Sequence, residues 1–301
     1  MGQKANSLIL RSKQKHFESN FKYLNSNFEE STLLFYKSVE LQSYVERIFN
    51  IYGIIIHTLK LEYSKEYIKL TLFICTTSSQ FSKLKKKTSI DNLLVERNNS
   101  FLEVNNSHYL TNLIIKNSLL EIVFKYIKTK SIKIDVKNIY QKFCVELNKS
   151  KKVRSKFKDI ISSFRKFLKV PVLKYIFISV CISVFEKNSA NFLARYISIY
   201  LKNFKKKHNY LILFLNKAFF KLLKSSFSKA NGVKIQISGR LNGAPRAKTK
   251  KIQLGQIPLQ TITSLVDYSS CTSYTVNGTF GVKVWICYRT KKVFNIYVFT
   301  T

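Results

Sequence analysis

An α+β chain is what this sequence predicts, and three patterns carry the prediction. Six of the eight glycines (Gly232, Gly239, Gly243, Gly255, Gly278 and Gly281) fall in the last 70 residues, with Pro245 and Pro258. None lies between Gly53 and Gly232. Glycine and proline punctuate the turns between short strands, so the end of the chain reads as strands and turns, and the stretch before it as helices and longer strands. The third pattern is a switch in apolar period, from about 3.6 over 29–50 to 2 in several later segments.

Leu33, Leu34, Leu41, Tyr44, Val45 and Ile48 set the first period and predict a helix over 29–50. Tyr52 to Glu62 and Glu66 to Cys75 read as two strands around a short turn. Residues 76–150 are rich in Lys, Asn and Ser, hold a basic run at Lys83–Lys87, and read as an insertion with some helix near Tyr109–Tyr126. A helix is expected over Val153–Lys169. In Lys174–Phe185 the β-branched residues Ile176, Ile178, Val180, Ile182 and Val184 stand at every second position, which predicts a strand. Two helices follow, Ser189–Phe204 and Tyr210–Ser226. In Val233–Ile237 the apolar side chains share one face, with Lys234 and Gln236 on the other. Val282–Ile286 repeats the arrangement, with Lys283 and Trp285 opposite Val282, Val284 and Ile286. A small mixed or antiparallel sheet, packed on helices by one face and open with lysines on the other, suits RNA.

Charge narrows the function class. The chain carries 52 Lys+Arg against 16 Asp+Glu, a formal net charge of +36. A compact body so charged repels itself and gains most from a polyanion, whose condensed counterions it releases. From Lys187 to Thr301 there are 20 Lys+Arg and one carboxylate, Asp267. That stretch by itself offers no paired-carboxylate site and no oxygen-ligand metal cage. The five cysteines (Cys75, Cys144, Cys181, Cys271, Cys287) form no CxxC pair and read as reduced core thiols rather than a zinc site. His16, His57, His108 and His208 are scattered, with no Ser/His/Asp or Cys/His set and no GxxxxGK[ST] loop, so no cofactor is expected. The most apolar run, Val170–Phe185, holds 16 residues including Lys174, short of the ~20 that a membrane helix needs. Preference for Lys, Asn, Ile, Phe and Tyr follows AT-rich codons.

Three segments resemble one family, small-subunit ribosomal protein three. The most specific is Gly232-Val-Lys-Ile-Gln-Ile-Ser-Gly-Arg-Leu-Asn-Gly-Ala244, followed in order by Ile257-Pro-Leu259, Asp267-Tyr268 and Gly281-Val-Lys-Val-Trp-Ile286. Met1-Gly-Gln-Lys4 with Arg11 is similar to that family's N-terminus. The strands near 52–75, the strand at 174–184 and the helix with Asn191-Phe-Leu-Ala194 resemble its K-homology RNA-binding domain and the following helix. The resemblance implies an N-terminal arm over 1–28, a degenerate K-homology-like domain over 29–188 with the insertion at about 76–150, and a C-terminal α/β domain over 189–301. It also implies a place in the head of the small subunit near where mRNA enters. The implied neighbours are small-subunit rRNA and ribosomal proteins ten and fourteen, with mRNA as a further contact. The chain departs from the pattern after Cys75. There Thr76-Thr-Ser-Ser79-Gln80 stands where a K-homology domain carries GxxG, whose small residues let backbone clamp phosphates.

The candidate RNA-binding residues follow from the motifs and the basic clusters. Arg240, between Gly239 and Gly243, can fork its guanidinium onto a phosphate that the glycines let close; the alternative is a tight turn with an exposed arginine. Arg246, Lys248, Lys250 and Lys251 form a basic cluster on an expected hairpin arm, either an RNA contact or a charged edge that discourages strand pairing. Lys217, Lys221 and Lys224 lie at i, i+4 and i+7 on one helix face, near the family's mRNA-contacting positions; a solvated face is the equal alternative. Lys234 and Lys283 belong to the open sheet face, and Trp285 reads as core more readily than as a stacking platform. Lys4 and Arg11 belong to an arm expected to order on RNA.

The expected function is therefore a structural, non-enzymatic constituent of the ribosome, without membrane association or homo-oligomer. The MGQK start leaves no room for a cleaved presequence, which suggests translation where the protein works. With the AT-rich bias, this points to an organelle-encoded mitochondrial protein, with a plastid or a bacterial cytoplasm next. The competing class is a maturase- or endonuclease-like nucleic-acid-processing protein, which would need clustered carboxylates for metal-assisted cleavage; Glu96, Glu103, Asp135 and Asp159 show no such grouping.

Overall fold

A computed structural model of the chain describes residues 6–11, 21–23, 28–51, 54–64, 67–75, 131–148, 151–204, 208–225 and 228–289. The fold is α+β and divides into two compact units, Ser19–Glu146 and Met1–Glu18 with Leu147–Thr301.

The first unit is a four-stranded sheet backed by a long helix. Its strands β1 (Phe21–Tyr23), β2 (Ile56–Tyr63), β3 (Tyr67–Ile74) and β4 (Ser131–Asn138) lie side by side in that order. β2 and β3 are antiparallel, and the two outer pairs are parallel. Helix α1 (Phe28–Ile51) opens with Glu29 and Glu30, whose charges suit the positive end of the helix dipole. It buries Leu41, Val45 and Phe49, one residue per turn, against Leu59, Leu61, Leu70 and Leu72 of the sheet. Leu33 and Tyr44, expected on the apolar face, are instead exposed. At 100° per residue they stand roughly 100–120° from the middle of the Leu41–Val45–Phe49 row, outside the packed arc.

The sheet also reaches into the stretch read as an insertion. β4 pairs with β3 from Tyr67↔Ser131 to Ile74↔Asn138, and α2 (Ile139–Asn148) follows it directly. A parallel neighbour requires a long crossover, and residues 76–130 supply the length. The Thr76–Gln80 departure, the basic run Lys83–Lys87 and the expected helix at 109–126 all lie outside the described residues.

The second unit holds helices α3 (Lys151–Ser163), α4 (Pro171–Phe185), α5 (Ala190–Asn203) and α6 (His208–Leu223). Strands β5 (Ala230–Gly239), β6 (Lys248–Gly255), β7 (Leu265–Thr275) and β8 (Gly278–Tyr288) follow. The sheet order is β6-β5-β8-β7, antiparallel throughout. Val233, Ile235 and Ile237 of β5 and Val282, Val284 and Ile286 of β8 are all buried. On this side α5 lies against β7 and β8, and α6 against β5 and β6.

The expected strand over 174–185 is helix α4. Its alternation of β-branched residues is not an alternation of polarity, because Phe177, Ser179, Cys181 and Ser183 fill the positions between and are buried too. Period cannot separate a helix apolar all round from a buried strand. Length decides, together with Pro171 in the first turn, where its missing N–H costs nothing. The Ser179 and Ser183 hydroxyls donate to Ile176 O and Val180 O, both at 2.8 Å, so neither is left unsatisfied in the core.

Candidate nucleic-acid interface

The sheet of the second unit has one covered and one open face, and strand register assigns the residues to each. Lys234 pairs with Gln253 on one side and Trp285 on the other, and Trp285 pairs with Tyr268. The next row runs Lys251, Gln236, Lys283, Ser270. Directly opposed residues share a face, so these two rows stand away from the helices. Lys251 and Lys283 are exposed, and Lys234, Trp285 and Tyr268 are half-buried. The rings of Tyr268 and Trp285 lie 5.2 Å apart between centroids, and Lys234 Nζ is 5.4 Å from the Trp285 ring. Trp285, read from sequence as core, is thus on the open face.

The remaining candidates are distributed around this platform. Lys248 and Lys250 are exposed on β6 but pair with Gly239 and Ile237, so they have the parity of the helix-covered face. Arg240 and Arg246 are exposed in the loop between β5 and β6. Lys217, Lys221 and Lys224 are brought together on the outer side of α6, apart from the open sheet face. Their ammonium groups lie over Phe167, Phe164 and Phe220, at 5.7, 5.4 and 4.0 Å from the ring centres. The lysine stems thereby cover an aromatic cluster that includes Phe177 and Phe214 while the charges face water. Lys4 lies outside the described residues.

The Ser238–Ala244 motif is shaped largely by what it packs against. At Gly239 (φ +150°) a Cβ would stand 2.4 Å from Phe280 Cδ1, so only glycine fits. Gly243 has φ +76°, and a Cβ there would meet only Asn277 Nδ2, at an ordinary contact distance of 3.7 Å. Asn242, also left-handed at φ 57°, makes a reciprocal pair with the first residue of α6. The His208 N–H donates to Asn242 Oδ1 (3.0 Å), and the Asn242 N–H donates to His208 Nδ1 (2.9 Å). His208 Nε2 donates to Phe204 O at 2.6 Å, which makes the imidazole the Nε2–H tautomer. Arg240 Nε donates to Ala244 O (2.9 Å), closing the turn.

Arg11 requires a correction. It was expected on an arm that orders on RNA, but only 2% of it is exposed. Nε donates to Ser264 O (3.0 Å) and Nη1 to Ser7 O (2.9 Å). Nη2 reaches Leu259 O (2.9 Å) and Thr261 O (2.8 Å). The guanidinium thus pins the loop around Ile257-Pro-Leu259, and burial lowers its pKa from the ordinary arginine value. Asp267, the acid of the next motif, has the parity of the covered face. Its Oδ2 accepts the Ala190 N–H at 2.8 Å, where the positive end of α5 favours an anion. Burial raises its pKa, while hydrogen bonds from the Ala190 and Tyr268 backbones oppose the rise. The one carboxylate of the C-terminal stretch therefore stays off the open face.

Residues 215–286, from the middle of α6 through β8, match the family described as ribosomal protein S3, C-terminal domain. The likeness to ribosomal protein S3 is confined to this segment, about a quarter of the chain. Small ribosomal subunit protein uS3c of Gracilaria tenuistipitata var. liui is 48% identical over 63 residues, 21% of this chain and 29% of that protein. Small ribosomal subunit protein uS3 of Nostoc punctiforme is 53% identical over 55 residues, 18% of this chain and 21% of the other. The uS3c of Cyanidium caldarium is 54% identical over 55 residues, 18% and 27% of the two chains. The matched segments thus span under a third of these relatives. Among the described residues no helix is long and apolar enough to cross a membrane, and no group of three His, Cys, Asp or Glu is placed to hold a metal.

Proposed function

We propose that the chain is a structural, non-enzymatic constituent of a small ribosomal subunit, bound to rRNA in the head near where mRNA enters. The observation that carries this is the S3 match over 215–286, which falls on the sheet whose open face holds lysines and no carboxylate. Charge neutralisation supplies affinity, and the shape of the sheet and its loops supplies register. Arg240, Arg246, Lys248, Lys250 and Lys251 approach phosphates along the β5–β6 arm, and the α6 trio forms a second contact for rRNA or mRNA. Ribosomal proteins ten and fourteen are the protein neighbours. The helix–strand–strand run of α1, β2 and β3 is a K-homology-like remnant, closed by β4.

Relatives named uS3c and uS3 fit a ribosome of organellar or bacterial type. Within that range the AT-rich composition favours a mitochondrial ribosome over a plastid one. The maturase-like alternative draws no support from relatives that all carry small-subunit names.

Mass spectrometry of subunits sedimented through a high-salt gradient from the source organelle or cell tests the reading. Stoichiometric presence in the small subunit is expected, since loose electrostatic binding is released by salt. Loss on washing, or absence from that peak, overturns it.

A further inference from the structure

We infer that the open face of the β6-β5-β8-β7 sheet is a stacking site for unpaired RNA bases, with Trp285 and Tyr268 as the platform and Lys234, Lys251 and Lys283 as phosphate partners. The inference rests on the ribosomal reading and goes beyond it by naming the form of RNA that this face takes. Basic residues alone would fit any polyanion. The aromatic pair adds the specificity, because a half-exposed indole beside a phenol presents π-surface to solvent at the centre of a basic field. Bases in a duplex already stack on one another and offer only edges, whereas single-stranded bases offer faces.

The geometry suits a strand of RNA laid across the sheet. Trp285 lies between Lys234 on β5 and Tyr268 on β7, and one row along the strands Lys283 pairs with Gln236 and Ser270. The half-buried Lys234 places Nζ 5.4 Å from the indole centre, a contact weaker than a stacked base. An incoming base therefore displaces the ammonium from the ring, and the released charge stays within reach of the backbone phosphates. The Gln236 amide and Ser270 hydroxyl supply donors and acceptors for base edges or 2′-hydroxyls without adding negative charge.

The chain contains one tryptophan, so its intrinsic emission reports on this site alone. The full chain is titrated with a ten-nucleotide single-stranded oligoadenylate and with an RNA duplex of equal length, both carrying a fluorescent end label for anisotropy. Single strand is expected to bind and quench Trp285, and duplex to bind without comparable quenching. Trp285→Leu and Tyr268→Leu, with circular dichroism unchanged from the parent, are each expected to weaken single-strand binding roughly 5- to 150-fold, the range for losing one stacked base. Lys283→Glu is expected to lower the salt dependence by about one phosphate contact while leaving quenching at saturation intact. Single-strand binding by anisotropy with tryptophan emission unchanged would overturn the inference. So would unaltered affinity in a folded Trp285→Leu protein, or no single-strand binding at all. Those results leave the subunit sedimentation untouched, whereas absence from the small-subunit peak defeats the ribosomal reading whatever the oligonucleotides do.

Discussion

His57 sits at the start of β2, 6% exposed, and burial lowers its pKa from 6.5 to about 4, with the positive charge of Lys142 adding to the effect. The folded chain therefore holds the imidazole neutral through a range in which the unfolded chain protonates it. Because the unfolded state binds the proton first, stability is retained above pH 6.5 and lost as pH falls from 6.5 towards 4. At 1.36 kcal/mol per pH unit the full loss is about 3.4 kcal/mol, and about 2.4 kcal/mol of it develops between pH 7 and 4.5. Other groups titrate over the same interval, so the informative quantity is a difference between proteins. His57→Phe keeps a ring of similar size in a strand that favours aromatics and removes the titration. Urea unfolding followed by far-ultraviolet circular dichroism at pH 7 and 4.5 should show the parent losing about 2 kcal/mol more than the variant. Selective labelling of the histidines should show a His57 resonance still neutral at pH 5.5. A resonance titrating near 6.5, or equal pH dependence in the two proteins, would refute the reasoning.

Gly239→Ala should destabilise by about 2–4 kcal/mol, because the new Cβ collides with Phe280 at a positive φ, whereas Gly243→Ala, whose Cβ meets no clash, should cost about 1 kcal/mol. Thermal unfolding of the two variants side by side tests the contrast, and equal costs would contradict it. Arg11→Met should release the loop at 258–264, with amide hydrogen exchange there rising at least tenfold while β8 stays protected. Asn242→Ala removes the side-chain acceptor of the His208 N–H and the residue's tolerance of a left-handed backbone, while the backbone bond to His208 Nδ1 can persist; a loss of about 2 kcal/mol by urea unfolding is expected.

Much of the second unit was legible because its strands alternate in polarity. Val233–Ile237 and Val282–Ile286 each bury one face and leave Lys234, Lys283 and Trp285 on the other. Helices α5 and α6 were readable from their period and fall within two or three residues of the expected ends. Helix α4 was not, because a segment buried on every side carries no amphipathic signal. β4 did carry one, since Ile132, Ile134 and Val136 alternate with Lys133, Asp135 and Lys137. The low-complexity stretch before it hid the alternation, and nothing local reveals a parallel partner some 60 positions earlier in the chain.

The candidate site divides in the same way. Composition alone points to a polyanion as the kind of partner, since charge is a property of the residue list, and the ordered motif at 232–286 marks the segment that matches ribosomal protein S3. Only the tertiary structure decided which charges are available to that partner. Arg11 is consumed by backbone carbonyls of a loop some 250 residues away, and Asp267 is drawn to the end of a helix, away from the open face. Asn242 and His208, separated by 34 residues, close on each other. Trp285 and Tyr268 become neighbours because β7 and β8 pair in one register, and a slip of one residue would have turned one ring towards the helices. Sequence period states which side chains share a face, but burial, pairing and hydrogen-bond closure between distant segments depend on how the chain returns to itself.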